Sequence, residues 1–193
     1  MSYIKFEKAL MTNLEESLQR ELLRTNRSGA YSCSTIVDCN TRKYHGLLVV
    51  PVPELDDENH VLLSSLDCTV VQHGVEFNLG LHKYQGNNYA PKGHKYIREF
   101  SCDLVPTTLY RVGGVILKKE VIFQNYEDRI LLRYTLEDAH SPTKLRLRPF
   151  LAFRSVRQFT HENNVASREY KNVPNGIKTC MYAGYPELFM QLS

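Results

Sequence analysis

The sequence contains no tryptophan in 193 residues, although it has 12 tyrosines. Aromatic rings, and tryptophan above all, provide the flat faces on which sugar rings stack in carbohydrate-binding modules. The missing tryptophan therefore argues against an independent module of that class. Tyr84, Tyr89 and Tyr96 lie in or near a loop rich in Gly, Asn and Pro, so rings for sugar contact are not lacking altogether.

Long apolar segments and paired cysteines are also missing. No segment approaches the ~20 apolar residues of a membrane span, and the N-terminus has no continuous apolar core and carries Glu7, unlike a signal peptide. The five cysteines are odd in number and form no C-x-x-C pair, so neither a disulfide framework nor a zinc site is indicated. These features predict a cytoplasmic protein with reduced, mostly buried thiols and no cofactor.

Charge of one sign is not concentrated anywhere. The net charge is only +3, with charged residues making up 23% of the chain and apolar residues 42%. Nucleic-acid binding needs a concentrated basic face, so nucleic acid is excluded as the main partner. The densest basic run, residues 144–148, alternates with leucines, which favours a solvated face of a strand. The composition is that of one globular domain.

Strand periodicity dominates from Gly46 onward. Alternating or apolar runs recur between turn residues, with no long helix between them, which predicts a large antiparallel β-sandwich. The predicted strand regions are 45–52, 61–71, 75–79, 107–123, 129–137, 144–153, 177–182 and 188–192.

The clearest hairpin places Gly113 and Gly114 between two alternating runs, as in a two-residue turn with positive φ. Lys119 falls in the apolar series of the second arm, which suggests either a bulge or a snorkelling ammonium. Near the N-terminus, Phe6, Leu10, Leu14, Leu18 and Leu22 recur every fourth residue and predict a short amphipathic helix.

Polar side chains are concentrated just before the apolar run 45–52. Six consecutive residues offer many hydrogen-bond donors, two fixed charges, an aromatic ring and an imidazole, a chemistry that a simple chain reversal would not need. Binding and catalytic groups often occupy such loops at the entry to a sheet. The six are Asn40, Thr41, Arg42, Lys43, Tyr44 and His45.

This stretch resembles the N-terminal domain of bacterial and archaeal-type glycogen debranching enzymes of the amylo-alpha-1,6-glucosidase family. The family carries N-G-x-G-G-Y-A-S-x-T followed by N-T-R-x-Y-H-G-L-L-V, and the second half is intact in residues 40–49. In the first half Arg27 replaces a usual Gly, Ala30 the second Gly of a pair and Cys33 a small residue. The matching positions there are Asn26, Gly29, Tyr31, Ser32, Ser34 and Thr35. The resemblance continues in order through residues 61–66, 95–97, 106–110, 113–115, 146–150 and 161–163.

The resemblance implies that residues 1–193 form a single β-sandwich domain, the N-terminal part of a longer enzyme that hydrolyses α-1,6-glucosidic branch points. In the family the catalytic carboxylates lie in a helical barrel that follows this region. The chain is therefore expected to be non-catalytic, to brace that barrel and to contact α-glucan weakly or indirectly. An independent α-glucan-binding module remains the alternative.

The sequence also gives no independent indication of a catalytic pair of carboxylates. Glycoside hydrolysis needs two carboxylates ~5–9.5 Å apart, and no spacing singles out a pair among Glu120, Glu127, Asp128 and Glu162. His161 and Glu162 are too few for a metal site. We therefore predict no catalytic residue and no metal ligand in this chain.

The predicted substrate-binding or domain-interface residues are Asn40, Thr41, Arg42, Tyr44 and His45. Arg42 could grip a carboxylate of the partner domain, a glucan hydroxyl or a structural carboxylate within the chain. His45 could bind a sugar hydroxyl or line a cleft, or it could be packed at the strand start against a backbone carbonyl. For Asn26, a turn residue that caps its own backbone is the favoured interpretation.

Overall fold

The computed structural model describes residues 3–193, and within that range strands account for most of the regular structure. The strands are β1 (Ile4–Glu7), β2 (Glu21–Thr25), β3 (Tyr31–Thr35), β4 (Gly46–Pro51), β5 (Asn59–Gln72), β6 (Val75–Asn78), β7 (His82–Tyr84), β8 (Asn88–Ala90), β9 (Ile97–Cys102), β10 (Pro106–Val112), β11 (Val115–Phe123), β12 (Ile130–Ala139), β13 (Lys144–Ser155), β14 (Tyr170–Val173), β15 (Gly176–Thr179) and β16 (Leu188–Gln191). Two short α-helices are α1 (Lys8–Thr12) and α2 (Leu14–Ser17), and 3₁₀ turns occupy Gln85–Asn87 and Gly93–Tyr96.

Two antiparallel sheets face each other and confirm the predicted β-sandwich. Sheet A has the order β1-β9-β10-β11-β12, and sheet B has the order β13-β5-β4-β3-β2 with β6 also paired to β5. Sheet C is the smaller meander β14-β15-β16, and β7 pairs with β8. Every strand pair is antiparallel, which suits a chain whose strands alternate between buried and solvated faces.

The core forms two clusters. The first packs the inner faces of sheets A and B with Met11 of α1 and is made of Met11, Ile36, Val37, Cys39, Cys68, Val70, Leu79, Leu81, Ile97, Phe100, Cys102, Tyr110, Val112, Val115 and Leu117. The second joins sheet B to sheet C and is made of Ala30, Leu48, Val50, Val52, Leu62, Leu63, Phe153 and Leu188. Burying these side chains stabilises the fold at ~25 cal/mol per Å² of apolar surface removed from water.

The Gly113-Gly114 hairpin is confirmed, with β10 and β11 in register from Thr107–Glu120 to Val112–Val115. Gly113 has φ of 56° and Gly114 of 80°, values that a two-residue turn of this kind requires. Lys119 follows neither sequence interpretation. Its Nζ stays in the interior 2.7 Å from Asp38 Oδ2, because an opposite charge from the β3–β4 connection reaches it there.

The predicted N-terminal helix is present only as α1 and α2. Ile4–Glu7 and Glu21–Thr25 at either side of the helices are strands β1 and β2. The four-residue period persists because Phe6, Leu10, Leu14, Leu18 and Leu22 all pack on the first core cluster. One apolar stripe thus spans four elements whose inner faces meet the same core.

Other sequence expectations also have an outcome. Lys144, Arg146 and Arg148 are exposed while Leu145 and Leu147 are half-buried, so the basic run is a solvated strand face as predicted. All five cysteines are free thiols, and four of them are buried. Among residues 3–193, no helix is long and apolar enough to cross a membrane.

Candidate functional site

The polar motif of residues 40–45 connects β3 to β4, and its side chains diverge to opposite faces of sheet B. Asn40 points between the two sheets, whereas Arg42, Tyr44 and His45 gather on the outer face. Two backbone carbonyls fix the loop: Tyr31 donates its hydroxyl to Tyr44 O over 3.0 Å, and Arg154 donates from Nη2 to Lys43 O over 2.7 Å. The loop is therefore a fixed part of the sheet surface.

The outer side chains converge on one carboxylate, that of Glu21 at the start of β2. Arg42 Nε donates to Glu21 Oε1 in a very short contact, and the Tyr44 hydroxyl donates to Glu21 Oε2 over 3.2 Å. His45 Nε2 lies 3.3 Å from Glu21 Oε1, close enough for electrostatic attraction but without the alignment of a hydrogen bond. We call Glu21, Arg42, Tyr44 and His45 the carboxylate cage.

The cage keeps Glu21 ionised. Burial of the carboxylate opposes ionisation, but the hydrogen bond and positive charge of Arg42, together with the neighbouring His45 and Tyr44, outweigh it, so the pKa of Glu21 lies below its usual value. The Arg42 side chain is 57% exposed and that of Glu21 25%. The cage thus sits at the surface with its guanidinium turned to solvent.

His45 is the buried member of the cage, with no exposed surface. The backbone N–H of Thr41 donates to His45 Nδ1 over 3.0 Å, which means that Nδ1 carries no proton and that the neutral ring carries it on Nε2. Burial lowers the pKa of His45, and the nearby Glu21 charge compensates only in part. His45 is therefore a neutral ring whose Nε2–H faces the Glu21 carboxylate.

Three side chains at this point have the spacing of a metal site. Glu21, Cys33 and His45 each have one potential ligand atom in this group, and the three atoms lie within 4.8 Å of one another. However, a metal on His45 Nε2 would require an imidazole without any proton, because Nδ1 already accepts from Thr41 N–H. Burial also raises the pKa of the Cys33 thiol, which disfavours the thiolate that metals bind. The donor set does not fit a metal ion.

Asn40 serves the interior of the sandwich. Its Nδ2 donates to Ser64 O over 2.8 Å and to Ser64 Oγ over 3.1 Å, and its Oδ1 accepts from Ser34 Oγ over 2.8 Å. These bonds tie the motif loop to β3 and β5. Asn40 is thus a structural residue of sheet B, placed away from the carboxylate cage.

Asn26, from the first half of the sequence pattern, links two turns. Its Oδ1 accepts from Ser28 N and Ala30 N at 2.9 and 3.0 Å, and caps its own turn as predicted. Its Nδ2 donates to Glu127 O and Asp128 Oδ1 at 3.1 and 2.9 Å. A fully buried amide with all four hydrogen bonds made thus joins the β2–β3 turn of sheet B to the β11–β12 turn of sheet A.

An open groove of about 620 Å³ runs along the outer face of β2 and β3 and ends at the cage. Leu23 is 58% exposed and Tyr44 42% exposed at this surface, so apolar and aromatic area faces solvent. Arg27 lies at the groove with φ of 67°, a left-handed value that is uncommon for a side chain other than Gly, Asn or Asp. The lining residues are Glu21, Leu23, Thr25, Arg27, Gly29, Ala30, Tyr31, Cys33 and Tyr44.

The five predicted site residues therefore separate into groups. Arg42, Tyr44 and His45 come together around Glu21, Thr41 contributes its backbone N–H to His45, and Asn40 faces the interior. Glu21 and the groove residues of β2 were missed by sequence reasoning. The signal was present, because Glu21, Leu23 and Thr25 alternate onto one strand face, but nothing in the sequence says that this face meets the motif.

The carboxylates considered from sequence serve other partners. Glu120 accepts from Arg133 Nε and Nη2 at 2.7 and 2.8 Å, and Asp128 accepts from Asn26. His161 and Glu162 are exposed. Glu21 is the one carboxylate among the residues that line the groove, which leaves the two-carboxylate arrangement of glycoside hydrolysis incomplete there.

Comparison with known protein families matches residues 20–193 to the family described as glycogen debranching enzyme N terminal. No curated protein matches the chain, and no solved structure does. The matched region includes both halves of the polar pattern, the carboxylate cage, the groove and nearly all of both main sheets. The chain therefore belongs to the glycogen debranching enzyme N-terminal family.

Proposed function

We propose that this chain is a non-catalytic domain of a cytoplasmic glycogen debranching enzyme, and that its outer groove receives the helical-barrel catalytic domain of the same protein. The parent enzyme would hydrolyse the α-1,6-glucosidic branch points of glycogen and limit dextrin. The observation that carries this proposal is the groove itself. Exposed Leu23 and Tyr44 lie beside a preorganised polar cage, a combination typical of a surface that a partner covers.

The cage suits an interface because its charges are already balanced. A lone buried guanidinium costs several kcal/mol in an interface, whereas a guanidinium already paired with a carboxylate can be covered at lower cost. Arg42 arrives paired with Glu21, and its exposed edge retains donors for the partner. The domain would then position the barrel and line the entrance to its substrate cleft.

An α-glucan-binding module is the second candidate, and the groove gives it some support. Tyr31 and Tyr44 offer rings, and the Glu21–Arg42 pair offers planar hydrogen-bonding groups of the kind that recognise sugar hydroxyls. The proposals differ in what occupies the groove of the whole enzyme: a protein surface in the first, an oligosaccharide in the second.

A hydrolysis assay tests the non-catalytic part of the proposal. The purified chain is incubated with branched limit dextrin and with an isomaltose-type substrate. We expect no glucose above a buffer control, because the groove lacks a second carboxylate. Glucose release that disappears in Glu21→Gln would contradict the proposal and make Glu21 a catalytic residue.

The docking part is tested in protein that contains both the domain and the barrel. Leu23→Asp and Tyr44→Ala should weaken association of the two regions and lower debranching activity, because both remove apolar contact from the covered groove. Leu131→Asp is the matched control, since Leu131 is 46% exposed on sheet A, away from the groove. Equal loss in the control, or no loss in either groove variant, would refute docking at this face.

A further inference from the structure

The interior of the sandwich holds a partly polar cavity that the proposed docking function does not use. It lies between sheets A and B and has a volume of about 70 Å³. Most sandwich cores are filled with apolar side chains, but hydroxyl and charged groups from both sheets contribute to this lining. The polar lining residues that matter for the argument are Asp38, Thr108, Tyr110, Lys119 and Tyr134.

Lys119 brings a positive charge into this cavity. Its side chain is 8% exposed, and its Nζ bonds Asp38 Oδ2 over 2.7 Å. Burial alone would lower the pKa of Lys119, but the charge and hydrogen bond of Asp38, together with the neighbouring Tyr134 and Tyr110, outweigh burial and raise it. The ammonium therefore keeps three N–H donors, of which Asp38 accepts one within the described part of the chain.

Three hydroxyls line the cavity around Lys119. The Tyr134 hydroxyl is buried and has no hydrogen-bond partner among residues 3–193. Tyr110 is 4% exposed and Thr108 7% exposed, so both of these side chains also lie in the interior. Burial raises the pKa of Tyr110 well above its usual value, and that of Tyr134 to about 12, so both rings keep their protons.

Unsatisfied polar groups of this kind are costly in a protein interior. A buried donor or acceptor without a partner costs ~1–3 kcal/mol, and more when charged. A water molecule needs at least ~10–15 Å³ of cavity and two to four polar partners. The cavity therefore has room for roughly five waters, and its lining offers enough partners to hold them.

We propose that the cavity between the two sheets is a binding site for a cluster of ordered water molecules, held by Lys119, Tyr110, Tyr134 and Thr108. The cluster hydrates the Lys119–Asp38 pair inside the sandwich. Asp38 has 43% of its side chain exposed, so the cluster exchanges with solvent at that end. Lys119 and Asp38 balance each other, so the site favours a small neutral ligand over an ion.

Direct observation of the unaltered chain is the first test. A crystal structure at about 1.5 Å or better should show connected water density within hydrogen-bond distance of Lys119 Nζ and the Tyr110 and Tyr134 hydroxyls. Oxygen-17 relaxation dispersion should independently count several long-lived waters. A cavity without ordered water at that resolution would overturn the assignment.

Thr108→Val and Tyr134→Phe provide the second test, because each removes only a hydroxyl from the lining. Each should lower the number of long-lived waters and lower Tm by about 2–4 °C, the shift expected for one lost hydrogen bond in a chain of this size. Thr135→Val, on the opposite face of β12, should leave the water count unchanged. If the cavity is dry, both lining variants should raise Tm instead, since an unpaired hydroxyl would be removed.

Discussion

Arg42 shows how a motif residue can be recognised without its role being predictable. The sequence marks Arg42, Tyr44 and His45 as a cluster of functional groups, because they adjoin one another in the chain. Their common target, Glu21, lies 21 residues before Arg42, and the antiparallel pairing of β2 with β3 brings it to the motif. The sequence therefore identifies the functional groups of Arg42, Tyr44 and His45. Their contact with Glu21 is known only from the fold, because strand pairing brings the two segments together.

Arg42→Ala should hardly change the stability of the isolated chain, because its ion pair with Glu21 is exposed to solvent and such pairs contribute little. The matched control is Asp38→Ala, which leaves the buried Lys119 ammonium without its carboxylate and should cost about 3 kcal/mol or more. Urea unfolding of the two variants measures both effects. An Arg42 variant as unstable as the Asp38 variant would show that the cage holds the sandwich together.

The stability of the chain should fall as pH drops below about 6.5. Burial holds the pKa of His45 and of His94 below the usual value, so the unfolded chain binds protons before the folded one does and stability is lost from pH 6.5 down to the folded pKa. Glu21, whose pKa is also lowered, adds a separate loss below about pH 4.5. His45→Gln should flatten the upper phase in urea titrations across pH 5–8. An unchanged slope would contradict a neutral, buried His45.

At the scale of elements, the sequence predicts correctly those features that depend on a few neighbouring residues. The Gly113-Gly114 hairpin and the alternating strand β13 were predictable because turn residues and side-chain alternation act within a few residues. The predicted N-terminal helix is longer than the helices that the structure contains. One apolar stripe with a four-residue period can arise from four separate elements that pack on the same core. The buried ammonium of Lys119 was not predicted because its partner, Asp38, comes from the β3–β4 connection, 81 residues earlier in the chain.

The stability of the turn after β2 should depend on the hydrogen bonds of the Asn26 amide and not only on the size of that side chain. Asn26→Ala leaves the N–H groups of Ser28 and Ala30 unpaired and should cost about 3 kcal/mol. Asn26→Asp keeps the size and the acceptor, yet it should be equally harmful, because a carboxylate would face Asp128 Oδ1 where the amide now donates. Asn125→Ala, an exposed change near the same β11–β12 turn, serves as control. Thermal unfolding measures the stability of the three variants. If Asn26→Asp leaves Tm almost unchanged, the Asn26 amide does not link the two turns in the way described.

For the whole molecule, the all-β class was predictable but the sheet order was not. Strand count and spacing indicate a sandwich, whereas the pairing of β1 with β9 and of β5 with β13 joins segments far apart in sequence. No periodicity encodes such partners. The family match over residues 20–193 supports the identity of the domain, and the occupant of the groove is a matter for experiment.

The isolated chain should bind glucan weakly, with Kd no tighter than about 1 mM, equivalent to only about −4 kcal/mol. The groove is open and its rings belong to tyrosines, so little sugar surface would be buried. Calorimetric titration with maltoheptaose, and affinity electrophoresis in glycogen, measure this directly. Micromolar binding that is lost in Tyr44→Ala but kept in an exposed control, Tyr126→Ala, would favour the glucan-binding module over the docking function.

The pairing of β1 with β9 also has a consequence for synthesis on the ribosome. Ile4 pairs with Cys102, 98 residues later, and chains grow at ~5–20 residues per second, so β1 waits roughly 5–20 s for its partner. During that interval Ile4 and Phe6, which later pack on the core, have no sheet to join. β1 therefore cannot take its place in sheet A until about half of the 193 residues have been synthesised, and its apolar side chains can contact other nascent segments until then.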